Sequence, residues 1–288
     1  MKKINIFSCL LMVGILYRAN AAPKWQYDPV FQPISATQVA KFSHSLPASD
    51  KEAVLIIRRA ENQGHISTAT RGLYKLWNDD RDSMRKMRLF LYSYALMEKR
   101  TYDSMTADRE AINHVISIIS DDRVDIQGIV KELLRKTPQD ALSWRVGSYL
   151  TPPQWDTIRI LPDGTKMRAT NPAQYREERR RALKAYELDP KSSDCIRTLF
   201  FNYIRIEPLT KASPEYLDLL ALSAKGVRLD PKSSTLWFFR SRELVFAKQY
   251  KQALVAYQKL QALIPPAKRK PQAELLREIQ NGLNQTKR

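Results

Sequence analysis

Apolar residues recur at helical spacing along most of the chain that follows residue 48. Positions three or four apart share one face of an α-helix, so each such stripe predicts a helix with one buried side. The breaks between stripes hold turn residues such as Gly64 and Pro138. The clearest stripes in the first half cover residues 50–63, 67–77, 85–99, 108–120 and 126–136. The pattern therefore predicts an all-α fold of short, antiparallel helix pairs.

Local signals define the ends of the first pair. Ser49 and Glu52 form an S-x-x-E capping box, in which each side chain can satisfy a free backbone N–H of the first turn. Gly64 ends this helix, and the next one begins two or three residues later. Two short helices joined by a tight glycine turn predict an αα-hairpin.

Two segments depart from the helical pattern. Residues 22–47 contain four prolines and predict an extended arm. Within residues 151–171, two runs rich in Thr and Ile or Met flank the turn sequence Pro162-Asp163-Gly164. This arrangement predicts a small β-hairpin near 156–169, inserted between two helices.

An internal repeat gives the strongest architectural signal. Residues 187–193 (ELDPKSS) recur almost unchanged as residues 228–234 (RLDPKSS). A weaker third copy ends at Pro265, which lies 34 residues after Pro231. Pro138 is followed six residues later by Trp144, just as Pro231 is followed by Trp237. Recurrence at such a period indicates stacked helical units.

The unit at residues 231–265 resembles the tetratricopeptide-repeat family, whose repeat has the same length. The bulky, small, aromatic and proline positions of the family pattern are held here by Trp237, Tyr250, Ala253, Tyr257 and Pro265. Ser241 stands where the family usually has glycine. The resemblance is clearest over 138–265 and implies an α-solenoid, with 48–136 as hairpins that could be degenerate units. It also implies a terminal capping helix within 266–288.

The amino terminus predicts export. Lys2 and Lys3 precede a largely apolar run from Ile4 to Tyr17, and Ala19-Asn20-Ala21 provides a small-residue cleavage site. This layout is typical of a secretory signal peptide covering residues 1–21, and the run is too short for a membrane span. The expected location is the periplasm or the exterior. Cleavage would leave 45 basic and 30 acidic residues, a net charge of +15, and Cys195 as the single cysteine.

Known catalytic motifs are absent from the sequence, and no cofactor or metal is predicted. Three isolated histidines, His44, His65 and His114, lack the spacing of a metal site. No phosphate-binding loop, nucleophile elbow or dinucleotide fingerprint occurs. The sequence predicts a binding protein rather than an enzyme, although an enzyme with its site in the 151–171 insertion stays open.

Two binding surfaces are candidates. In the family that the repeat resembles, the first helix of each unit lines a concave groove. The positions seven and eleven residues after each proline share a helical face, and each pair holds one arginine and one aromatic residue: Arg145 and Tyr149, Arg197 and Phe201, Phe238 and Arg242. Such a row predicts a scaffold that binds another protein or an acidic peptide.

The alternative surface is a basic patch on one helix. It consists of Arg176, Arg179, Arg180, Arg181 and Lys184, with Glu177 and Glu178 between them. A patch of this kind predicts a module that binds an anionic envelope lipid or polymer. Export disfavours nucleic acid as the ligand.

Overall fold

The computed structural model describes residues 33–102, 109–151, 155–160, 166–170, 172–203, 217–264 and 273–285. The predicted signal peptide lies outside these residues. The helices are α1 (Ala36–Ala40), α2 (Asp50–Gln63), α3 (Ile66–Asn78), α4 (Met84–Tyr102), α5 (Arg109–Asp121), α6 (Ile126–Lys136), α7 (Ala141–Tyr149), α8 (Pro172–Leu188), α9 (Ser193–Tyr203), α10 (Leu219–Leu229), α11 (Ser234–Phe246), α12 (Tyr250–Leu263) and α13 (Ala273–Gln285).

The all-α fold class is confirmed, since α-helices make up nearly all the regular structure of the described residues. A short 3₁₀ turn, Lys41–Ser43, follows α1. Two short strands, β1 (Trp155–Ile160) and β2 (Lys166–Thr170), pair antiparallel between α7 and α8. No helix in the described ranges is long and apolar enough to cross a membrane.

The first helix pair has the predicted ends. The Ser49 hydroxyl accepts a hydrogen bond from the backbone N–H of Glu52 at 3.2 Å and caps α2. Gly64 ends α2 in the left-handed conformation, with a φ of 84°, which glycine adopts without steric cost. α3 begins two residues later at Ile66 and buries one side of its length against α4.

The expectation of an extended arm over 22–47 is wrong for its described end, where residues 36–43 are helical. Ser35 accepts from the backbone N–H of Gln38, and the Gln38 side chain accepts from the N–H of Ser35, which completes a capping box. Val39 and Phe42 are buried against the first helices. Burial of these two side chains stabilises a helix whose length alone would leave it marginal.

Six helices form a row in which each contacts the next. The members are α2, α4, α7, α9, α11 and α13, and α3, α8, α10 and α12 pack as partners between them. Three apolar clusters fill the interior, the first over residues 34–150, the second over 182–239 and the third over 244–283. Phe238 and its neighbours join the second cluster to the third.

The repeated sequence motif produces a repeated local structure. Helices α7, α9 and α11 each begin three residues after a proline of the motif, Pro138, Pro190 and Pro231. The indole N–H of Trp144 donates to the carbonyl of Pro138 at 2.9 Å, and that of Trp237 donates to Pro231 at 2.8 Å. The same six-residue spacing therefore anchors the same side chain in both places.

Ser241 lies at a tight contact between α11 and α12. Its side chain is fully buried, and its hydroxyl donates to the carbonyl of Ala253 at 3.1 Å. Ala253 is also fully buried. The hydroxyl is thus satisfied by the facing helix, so close packing leaves this buried donor with a partner.

Candidate functional site

A cleft with a volume of about 370 Å³ opens where α2 faces the amino-terminal ends of α7 and α9. We call it the α2/α7/α9 cleft. It is lined by Asp50, Lys51, Val54, Leu55, Arg58, Asp140, Ala141, Leu142, Arg145, Asp189, Ser192, Asp194 and Cys195. One part of the lining is thus apolar and the rest is polar or charged, a mixture that suits a polypeptide better than a purely apolar ligand.

Helix capping positions the polar residues of the cleft. Asp140 caps α7 by accepting from the backbone N–H of Ser143 at 2.7 Å. Ser192 does the same for α9, where its hydroxyl accepts from the N–H of Cys195 at 3.2 Å. Asp194 falls in the first turn of α9, where a carboxylate interacts favourably with the helix dipole.

Asp194 is the centre of an ion-pair cluster on the wall of the cleft. Its carboxylate is 2.5 Å from a terminal nitrogen of Arg58 and 3.6 Å from one of Arg145, and it also pairs with Arg197. The backbone carbonyl of Asp194 accepts from the Thr198 hydroxyl, whose oxygen is 2.7 Å from that of Tyr149. The side chains of this cluster come from α2, α7 and α9. Tyr92 of α4 also belongs to it, because its hydroxyl accepts a hydrogen bond from Arg145.

The electrostatics keep Asp194 ionised. Burial by itself would raise the pKa of this carboxyl, but Arg58, Arg197 and Arg145 outweigh that effect and hold the pKa well below its usual value. The guanidinium of Arg145 lies 5.4 Å from the ring centre of Tyr92 and donates to its hydroxyl at 3.3 Å. Burial raises the pKa of Tyr92, so this hydroxyl stays protonated.

A second set of ion pairs borders the cleft. Arg88 of α4 pairs with both Asp50 and Asp140, the latter at 2.9 Å, and Arg85 pairs with Asp50 at 2.6 Å. Arg197 is also 4.0 Å from Asp230. The two sets together hold five arginines and four aspartates, a formal charge of +1. The lining of the cleft itself holds four aspartates against Lys51, Arg58 and Arg145, so it too is close to neutral.

Two of the six predicted groove residues belong to this cluster. Arg145 and Arg197 both contact Asp194, and each is only 7% exposed. Arg242 lies elsewhere, half-buried on α11 with its guanidinium 5.1 Å from the ring centre of Phe246. Burial lowers the pKa of Arg242. The structure thus brings two of the three arginines together.

The predicted aromatic residues are engaged in packing between helices. The ring of Phe201 meets that of Phe239 edge-on at 5.3 Å, and Phe238 packs against both the second and the third apolar cluster. Tyr149 is half-buried against α9 through Thr198. These contacts connect α7 to α9 and α9 to α11.

The predicted basic patch on α8 is divided between the surface and the interior. Arg179 is 1% exposed, with its guanidinium 4.5 Å from the ring centre of Tyr203. Arg180 and Arg181 both donate to Glu177, at 2.8 and 2.7 Å, and lower its pKa to about 2. Arg176 is exposed, and Lys184 pairs with Glu187 at 3.4 Å.

Cys195 lines the cleft without the features of a reactive thiol. It is 1% exposed, and burial raises its pKa, so the thiolate form is disfavoured. Within the described ranges, no group of three or more His, Cys, Asp or Glu side chains could hold a metal ion.

Sequence reasoning missed Lys51, Leu55, Arg58 and Asp194. Arg58 and Asp194 are 136 residues apart, so no local spacing relates them. The available signal was the repeat itself, because Asp194 lies four residues after Pro190, on the helix whose arginine was already singled out.

Comparison with models of known protein families gives no match, and no curated protein is similar to the chain.

Proposed function

We propose that the protein is an exported, tetratricopeptide-like scaffold that binds a polypeptide segment of another protein in the α2/α7/α9 cleft. The observation that carries this proposal is the cleft itself, whose apolar side chains Val54, Leu55 and Leu142 lie beside the guanidinium of Arg58. Peptide sites combine apolar anchoring with a few fixed polar groups in this way.

The row formed by α2, α4, α7, α9, α11 and α13 supports the repeat assignment. The cleft lies on α2, α7 and α9, three members of that row, which corresponds to the concave side of a tetratricopeptide solenoid. Under this proposal the β1–β2 hairpin is an insertion between units, and α13 covers the last unit. The predicted signal peptide accounts for export.

Charge favours a protein partner over the alternative ligand, an anionic envelope lipid or polymer. The ion pairs around the cleft sum to +1, and in the α8 patch Arg179 is buried while Arg180 and Arg181 share Glu177. A densely charged polyanion would need more unengaged cations on one surface. With a net charge of +15 after cleavage, the chain would attract an acidic peptide at long range.

Binding of synthetic peptides tests the function. An array of peptides of about ten residues, with acidic, neutral and basic members, is probed with purified protein. We expect Leu55→Asp to weaken binding of the selected peptides at least about tenfold. Leu55 lines the cleft, and a carboxylate buried there by a bound peptide would lose its hydration. Val255→Asp is the matched control, since Val255 is exposed on α12.

Sedimentation with anionic vesicles tests the lipid-binding alternative. That alternative is favoured if the protein sediments with the vesicles, Leu55→Asp leaves this binding unchanged, and the array selects no peptide. Salt separates the two further, because binding dominated by surface charge weakens steeply with ionic strength and a packed peptide site weakens less.

A further inference from the structure

The ion pair between Arg58 and Asp194 crosses the α2/α7/α9 cleft. Among the described helices, α2 packs on α1, α3 and α4, whereas α9 packs on α7, α8, α10 and α11. The two helices have no extended packing with each other. An ion pair of 2.5 Å between Arg58 and Asp194 links these two helices across the cleft, beside the pairs of Arg88 with Asp50 and Asp140 that border it.

The α2 wall is held less firmly than the α9 wall. α2 buries Ala53, Ile57 and Ala60, of which only Ile57 is large, whereas α9 buries eight residues that include Leu199 and Phe200. Gly64, in the left-handed conformation, forms the junction that links α2 to α3. Opening the cleft by moving α2 thus disrupts less apolar packing than moving α9.

The two partners of the pair differ in what they lose when it opens. Asp194 keeps Arg145 and Arg197 on its own side of the cleft, so its carboxylate stays paired. The side chains of Arg58 and Asp194 are 16% and 19% exposed and line the cleft, which gives water and salt access to the contact. Opening of the pair therefore leaves the carboxylate of Asp194 compensated by Arg145 and Arg197.

We propose that Arg58 and Asp194 form an ionic strap across the α2/α7/α9 cleft, and that it must open before a ligand can reach the inner wall of the cleft at Cys195. The strap regulates the site of the proposed function and in that respect rests on it. It is an intrachain contact that competes with a partner, so loss of the strap raises access to the cleft.

Cys195 reports the opening directly. It adjoins Asp194, lines the cleft and is 1% exposed, so a thiol reagent reaches it only when the cleft opens. The full chain carries a Cys9→Ser substitution, which leaves Cys195 as the single thiol. We expect Arg58→Gln to raise its rate of reaction with a disulfide reagent about tenfold, the effect of losing one partly exposed charged hydrogen bond.

Arg180→Gln provides the matched control, because it removes another arginine ion pair, to Glu177, outside the cleft. The rate for that variant should equal the wild-type rate. Low concentrations of urea separate local from global opening: a local opening gives a rate that barely depends on urea. Equal rates in Arg58→Gln and wild type, or an increase with the urea dependence of global unfolding, would overturn the proposal.

Wild-type protein supplies a second measurement that needs no variant at Arg58. Raising the salt concentration from about 0.05 to about 0.5 M should speed the labelling of Cys195, because salt screens a pair that water reaches. A salt-independent rate contradicts the strap. Because no ligand is present, these results stand whether or not any peptide binds, so failure of the strap and failure of the proposed function are distinguishable.

Discussion

Asp194 concentrates more charged contacts than any other residue around the cleft. Its carboxylate forms ion pairs with Arg58, Arg145 and Arg197. Arg145 and Arg197 are almost fully buried. A buried guanidinium without a carboxylate carries a large desolvation cost. The residue therefore has a structural role in addition to bordering the candidate site.

Replacing this carboxylate should be strongly destabilising. We expect Asp194→Asn to lower the free energy of unfolding by about 3–5 kcal/mol at neutral pH, because the buried arginines lose their counterion. Asp218→Asn is the control, since Asp218 caps α10 from an exposed position and asparagine caps equally well, so its effect should be below about 0.5 kcal/mol. Urea unfolding of the three proteins measures the difference.

The pH dependence follows from the sign of the pKa shift. The folded pKa of Asp194 is lowered, so its stabilisation is fully present above the unfolded pKa of about 4 and is lost as pH falls toward the folded value. The gap between wild type and Asp194→Asn should narrow below about pH 4. A gap that stays constant from neutral to acid pH would contradict this role for Asp194.

At the scale of helices, the ends followed from local chemistry. Ser49 and Gly64 predicted boundaries close to those of the structure, because capping and turns involve only a few neighbouring residues. The local pattern did not predict the helical structure of residues 36–43, because the burial of Val39 and Phe42 against α3 is a contact between segments distant in sequence. Tertiary burial there overrides the extended preference that the flanking prolines indicate.

The last helix depends on one glycine. Gly282 of α13 approaches the ring of Tyr250 so closely that a β-carbon would overlap it. Overpacking costs about 1–3 kcal/mol, against which the better helix propensity of alanine contributes up to about 1 kcal/mol. We expect Gly282→Ala to destabilise the protein by about 1–2 kcal/mol in urea unfolding.

A double-mutant cycle identifies the cause. Tyr250→Ala removes the ring, so Gly282→Ala should cost much less in that background than in the wild type. Asn281→Ala, one position away and exposed, controls for the general effect of alanine on the helix. An equal cost of Gly282→Ala in both backgrounds would exclude the clash with Tyr250 as its origin.

For the whole molecule, the proposed export would set the conditions under which the cleft meets a partner. We propose that residues 1–21 are removed, and we expect the exported protein to begin at Ala22 by mass spectrometry. Ala21→Arg should block processing, because the cleavage site requires small residues. Ala22→Arg lies just beyond that site and is the control. Recovery of intact Met1 from the wild-type exported fraction would contradict the assignment.

The all-α class, most helix boundaries and the repeat around Pro190 and Pro231 could be predicted from the sequence alone. Periodicity, caps and turns each depend on residues that are close together in the chain. The sequence also placed Arg145 and Arg197 on equivalent helical positions. The packing of the helices places both arginines against Asp194 and brings Arg58 to the same carboxylate, although Arg58 and Asp194 are 136 residues apart. Arg242 lies outside this cluster. Side-chain contacts between distant helices depend on how those helices pack, which no local pattern specifies.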